Sequence, residues 1–147
     1  METKILLRIA AFLILVHLLG HSIGHFTWDK PSDPKMQDVV TTMKGYSVEF
    51  MGATKSMADY YNGYSLIMFG LFGMTVLVLW ILSNHATTSQ KLVKQMLYPI
   101  GLTYVIFGII EWLYFFPFAA IISILAGIIA LSSIAKLSGG KTYDKKY

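Results

Sequence analysis

The stretch that decides the fold is residues 5–28, "ILLRIAAFLILVHLLGHSIGHFTW", in which Arg8 is the one arginine and no acid or lysine occurs. A helix rises about 1.5 Å per residue, so about 20 such residues cross a hydrocarbon core of about 30 Å. In lipid no water satisfies the backbone N–H and C=O groups, so a run this long and apolar has to close its hydrogen bonds within itself as a helix. Three further runs, at about 60–83, 94–115 and 117–137, have the same character. They account for the 55% hydrophobic residues of this 147-residue chain and its mean hydropathy of +0.58, both outside the soluble globular range. The expectation is an all-α integral membrane protein: an up-down-up-down four-helix bundle forming a single transmembrane domain over 1–147, with 138–147 as a flexible basic tail.

The charges sort by side. Lys4, Arg8, Lys91, Lys94, Lys136, Lys141, Lys145 and Lys146 flank one set of helix ends, against Glu2 and Asp144. The opposite side carries Lys30, Lys35, Lys44 and Lys55 against Asp29, Asp33, Asp38, Glu49 and Asp59. The positive-inside rule then places both termini in the cytoplasm of a bacterial inner membrane and the 29–62 loop outside. The net charge of +4 is thereby explained by topology and by anionic lipid, and nucleic acid is not expected as a partner. Lys4 and Arg8 could open a signal peptide, but the apolar run continues to Trp28, longer than a usual signal core, so it is read as a retained span. There is no cysteine, which removes disulfides, thiolate metal sites and thiol catalysis.

Between the first two spans, "DKPSDP" (29–34) stops the helix, because proline supplies no N–H and disfavours helix in the residue before it. Asp33 followed by Pro34 is an N-cap and first-position pair, and Met36, Val39, Val40 and Met43 follow at helical spacing up to Gly45. A short amphipathic helix in the outer loop is expected there. "SMAD" (56–59) has capping-box spacing, so the second span is expected to begin near Met57, ahead of its apolar run. Gly20 with Gly24, Gly70 with Gly73, Gly101 with Gly108, and Ser123 with Gly127 are small residues that let helices approach closely in lipid, within the chain or between copies in a homo-oligomer.

Three of the four histidines, His17, His21 and His25, lie four apart in the first span, and Glu111 is the one acid inside the apolar runs. Taking each span's midpoint as the bilayer centre, His21 and His25 lie about 6 and 12 Å outward and Glu111 about 9–10 Å outward. Ionisable groups at such depth face the interior and have partners. The reading is therefore a polar pocket toward the outer leaflet, with His21 or His25 against Glu111 and His17 as a packing residue. Asp59, Asn62 and Ser65 would complete it from the second span, and Tyr61 and Trp112 would line its mouth. His21 and Glu111 are the candidate acid–base pair, and His21, His25 and Glu111 the candidate metal ligands. His17 to His25 spans about 12 Å, too far for one ion to take all three histidines.

"HLLGHSIGHF" (17–26) and "EFMGATKSMADYYNGYSL" (49–66) resemble small four-span bacterial membrane proteins, and the layout is similar to that of DoxX-like proteins. The resemblance implies a four-helix membrane fold and transfers no active-site residues. The membrane-associated glutathione-metabolising family has a similar size, but its arginine-bearing second-span pattern is missing here. The expected function is binding or processing of a small hydrophobic or lipid-like ligand by the His/Glu pocket. The alternatives are a metal- or haem-binding accessory of a membrane redox system, and a structural membrane subunit without its own chemistry.

Overall fold

Residues 2–138 are described by a computed structural model, in which helices account for most of the chain. The helices are α1 (Thr3–Thr27), α2 (Pro34–Gly45), α3 (Met57–Asn84), α4 (Gln90–Tyr114) and α5 (Pro117–Ser138). Strands β1 (Ser47–Phe50) and β2 (Ala53–Ser56) lie between α2 and α3. Four helices, α1, α3, α4 and α5, are long and apolar enough to cross a membrane. Large apolar side chains, among them Phe12, Ile67, Leu77 and Leu102, are exposed along these helices. Such a continuous apolar surface is rare on a soluble monomer and ordinary on a helix that meets lipid. The expected basic tail, beyond its first residue, lies outside the described residues.

The ends of the elements follow from local chemistry. Asp33 caps α2 by accepting from the Lys35 N–H at 3.0 Å, with Pro34 in the first turn. The "SMAD" box closes reciprocally: Asp59 Oδ2 accepts from the Ser56 N–H at 2.8 Å, and Ser56 Oγ accepts from the Asp59 N–H at 3.1 Å. It starts α3 at Met57, and Pro117 opens α5 after a two-residue turn. Ser56→Ala is expected to cost about 1 kcal/mol, read as faster amide exchange confined to the first turn of α3. Pro99 lies inside α4, where it removes one rung of the helix ladder.

The β1–β2 hairpin corrects an outer loop read as containing only a helix. Val48 pairs with Lys55 and Phe50 with Ala53, across a turn in which Met51 (φ 53°) and Gly52 (φ 80°) are both left-handed. Two successive positive φ angles give the tight turn whose twist matches a hairpin. Methionine is an uncommon first residue for it, and the strands are four residues each, so the segment carries little alternation to read.

The chain divides into two compact units, Leu18–Leu71 and a second made of Met1–His17 with Phe72–Tyr147. In the second unit α4 and α5 pack most closely. A Cβ on Gly127 would stand 2.7 Å from the Gly101 carbonyl oxygen and 2.8 Å from the Val105 nitrogen, and one on Gly108 would stand 2.8 Å from the Ala120 carbonyl oxygen. These contacts run in opposite chain directions along the two helices. Gly24, Gly70 and Gly73, read from sequence as close-approach positions, have nothing within 4 Å of a Cβ. Along α1, Leu7, Ala10, Ala11, Ile14 and His17 recur at three- and four-residue intervals as its buried face. Phe72 and Leu79 of α3 and Val93, Leu97 and Tyr104 of α4 also belong to this core.

In the unit Leu18–Leu71, the end of α1 runs beside the start of α3. The Trp28 Nε1–H donates to Asn62 Oδ1 at 3.0 Å, and Tyr61 packs its ring 4.7 Å from that of Trp28. Lys44 ties α2 to the end of α1 through Asp29 Oδ2 at 2.9 Å. The Lys44 hydrogen bond holds the Asp29 carboxyl below the usual aspartate range. The contribution of this contact is therefore complete above the unfolded aspartate value of about 3.9 and is lost as pH falls through the lowered folded value. Between about pH 6 and about pH 3 the amide protection of α2 should fall. Asp29→Asn should be weaker at the higher pH and lose that dependence.

Candidate functional site

The sequence marked five histidine and acid positions in or beside the spans, His17, His21, His25, Asp59 and Glu111; the structure distributes them between two places. The first, in the unit containing Glu111, is built by three helices around one imidazole. His17 Nε2 lies 3.5 Å from Glu111 Oε1, and His17 Nδ1 lies 3.1 Å from Ser123 Oγ. His17 is 7% exposed, Glu111 9% and Ser123 0%, so α1, α4 and α5 each bring one polar group into the interior. The Phe72 ring lies 4.5 Å from the imidazole at 34°, closing one side. Tyr104, two turns before Glu111 on the same face of α4, is buried with it, as is Thr75 of α3. Glu111 Oε2 has no hydrogen-bond partner among the described residues.

Glu111 was matched to His21 or His25 by helical rise, with His17 as packing; its ion-pair contact in its own unit is His17. Matching midpoints assumes that all spans share one midplane. Helices stagger and tilt, so equal rise from two midpoints does not by itself fix equal depth.

The second place lies at the junction of α1 and α3 in the unit Leu18–Leu71. His21 Nε2 is 3.0 Å from the Ser65 carbonyl oxygen and 3.0 Å from Ser65 Oγ, while His25 Nδ1 is 2.8 Å from the same hydroxyl. Phe69 packs edge-on to both imidazoles, at 5.0 and 5.3 Å. Ser65 has one hydroxyl proton, so it donates to one ring at a time. Asn62 is occupied by Trp28, Tyr61 packs tilted against that indole, and Asp59 is committed to the cap of α3. An open cleft of about 490 Å³ runs along the start of α3, lined by Asp59, Tyr60, Asn62 and Tyr64 with Lys55. Trp112 is 59% exposed on α4, among the exposed aromatic residues Tyr114, Phe115, Phe116 and Phe118 around the α4–α5 turn.

The contacts Ser123–His17–Glu111 are the connections of a hydrolytic triad, in which a carboxylate orients an imidazole beside a hydroxyl. Such chemistry needs a hydroxyl that substrate can reach and amides aimed at an oxyanion. Ser123 is fully buried in the second turn of α5, where the helix amides around it are committed to the ladder. What the cluster can do is hold one proton between an imidazole and a carboxyl, with no net charge in the apolar interior. No group of three or more His, Asp or Glu side chains close enough to hold a metal ion occurs among the described residues. No protein family, curated protein or solved structure was found to match the chain.

Residue types already visible in the sequence could have pointed to the missed members. Ser123 and Thr75 are hydroxyls inside runs of aliphatic residues, and the sequence reading took Ser123 only as a small packing residue. His17 lies in register with Leu7, Ala10 and Ile14 on the buried face of α1, a signal that it faces inward.

Proposed function

We propose that this chain is a multi-pass protein of the bacterial inner membrane, with both termini cytoplasmic and its four long helices alternating in direction. In this reading it is a small four-span protein of DoxX-like layout. It holds the polar group of a small hydrophobic or lipid-like molecule, with Glu111 and His17 as the acid–base pair that meets it. The observation that carries this reading is the buried contact of His17 Nε2 with Glu111 Oε1 at 3.5 Å. An ionisable pair in an apolar interior is costly, and in membrane helices such groups mark binding and proton-transfer sites more often than scaffolding. The carboxyl oxygen without a hydrogen-bond partner, Oε2, supplies an acceptor for a ligand hydroxyl or amide. The His21–Ser65–His25 group is a second polar centre that the same class of ligand could use.

The test is native mass spectrometry of the protein released from membranes in mild detergent. Wild type should carry a bound small amphiphile, and Glu111→Gln should lose it while retaining helical content. Equal retention by Glu111→Gln and His17→Gln, or no bound species on wild type, would sink the proposal.

A further inference from the structure

At the far ends of the same helices, about 30 Å from Glu111 along α4, the second unit contains a different cleft. It has a volume of about 480 Å³ and lies where the start of α1, the end of α3, the start of α4 and the end of α5 meet. Its polar lining includes Lys4 of α1, Asn84 of α3, Gln90 of α4 and Lys136 of α5, with Thr87 from the intervening loop. Arg8, one helical turn past Lys4, adds a third cation beside this wall. Its guanidinium donates to Asn84 Oδ1 at 3.3 Å and lies 4.6 Å from the centre of the Trp80 ring. Glu2 is the one acid in the lining.

Lys4 and Lys136 reach this one cleft from two helices, with Arg8 beside it, so an anion seated there meets cations from both sides. The uncharged neighbours are suited to the same guest: Asn84, Thr87 and Gln90 all offer hydrogen-bond donors. Ser89 makes no side-chain cap at the start of α4, so first-turn amides beside Gln90 add further donors. Planar or tetrahedral oxyanions both use such donors, but a lysine pair acting as point charges with an adjacent arginine fork fits a phosphate. Leu77 and Ile81, exposed along α3 below the cleft, offer an apolar track for acyl chains. We propose that this cleft is a binding site for a phosphate ester, held between Lys4 and Lys136 with Arg8 and Asn84 behind them. The ester is either the headgroup of an anionic phospholipid or a soluble phosphate. Basic pockets between membrane helices on the cytoplasmic side bind lipid headgroups in this way.

The site can be tested on the full chain in nanodiscs that mix phosphatidylcholine and phosphatidylglycerol, counting the lipid that stays on the protein by native mass spectrometry. A second arm measures thermal stabilisation in detergent by inorganic phosphate against chloride at equal ionic strength. If the guest is a lipid, wild type retains phosphatidylglycerol preferentially. Lys4→Gln and Lys136→Gln should then each cut that preference about fivefold. If the guest is soluble, phosphate stabilises wild type, the two variants lose the effect, and no lipid preference is seen. Lys91→Gln and Lys94→Gln, each made singly, remove the same charge from α4 outside the cleft and should leave either result unchanged. An equal loss in these controls means diffuse surface charge and overturns the site, as does the absence of both lipid preference and phosphate stabilisation in wild type. Glu111→Gln should also leave this binding intact, so failure here and failure of the acid–base reading are separate outcomes.

Discussion

Replacing His17 by alanine is expected to destabilise the protein by about 3–5 kcal/mol. The reason is what stays behind rather than what is removed. Glu111 is 9% exposed, its Oε2 already has no hydrogen-bond partner among the described residues, and Oε1 faces the imidazole. Without His17 a carboxyl would be left in an apolar interior, beside a hole lined by Phe72. Glu111→Gln keeps the shape and removes the charge, and its cost should be smaller, about 1–3 kcal/mol. The double replacement His17→Phe with Glu111→Leu removes both polar groups and should recover most of the His17→Ala loss, as apolar replacements of buried pairs often do. Reversible unfolding in mixed detergent, followed by helical circular dichroism, measures all three. A His17→Ala protein as stable as wild type would show that the pair is not energetically coupled.

The second large effect belongs to the α4–α5 contact. Gly127→Leu is expected to cost about 3 kcal/mol or to prevent folding, at the upper end of overpacking effects. A Cβ there meets the Gly101 carbonyl oxygen at 2.7 Å and the Val105 nitrogen at 2.8 Å, and backbone cannot turn aside as a flexible side chain can. Gly70→Leu, the same chemical change on α3, meets nothing within 4 Å and should leave stability within about 0.5 kcal/mol, or raise it slightly through helix propensity. Equal behaviour of the two variants would mean that α4 and α5 are not packed through these glycines.

The contrast between these glycines shows what could be read without coordinates. Length and apolarity were sufficient for the four long helices, because a long apolar run has few structural solutions. The capping chemistry of Asp33 and of Ser56 with Asp59 was equally legible, because it depends on residues within three positions of one another. Gly70 and Gly127 look alike in sequence, yet only Gly127 faces a neighbouring backbone. Which side of a helix meets which partner depends on helix order and stagger, and neither is written in local spacing. The same ignorance bears on the site: Glu111 was legible as the acid needing a partner, while its contact with His17 was not. The hairpin was missed because four-residue strands and a Met-Gly turn carry too weak a local pattern.

The closeness of α4 and α5 bears on the order in which the molecule is assembled. Two helices adjacent in the chain, joined by two residues and touching backbone to backbone, make contacts of low sequence separation and need little loop closure to find each other. They carry Glu111 and Ser123. His17, more than a hundred residues from Ser123, belongs to the helix that leaves the ribosome first. During synthesis the imidazole is therefore in place before the carboxyl emerges. Glu111 thus joins a chain that already carries its imidazole partner, and His17→Ala is expected to slow the docking of α4 and α5 onto α1.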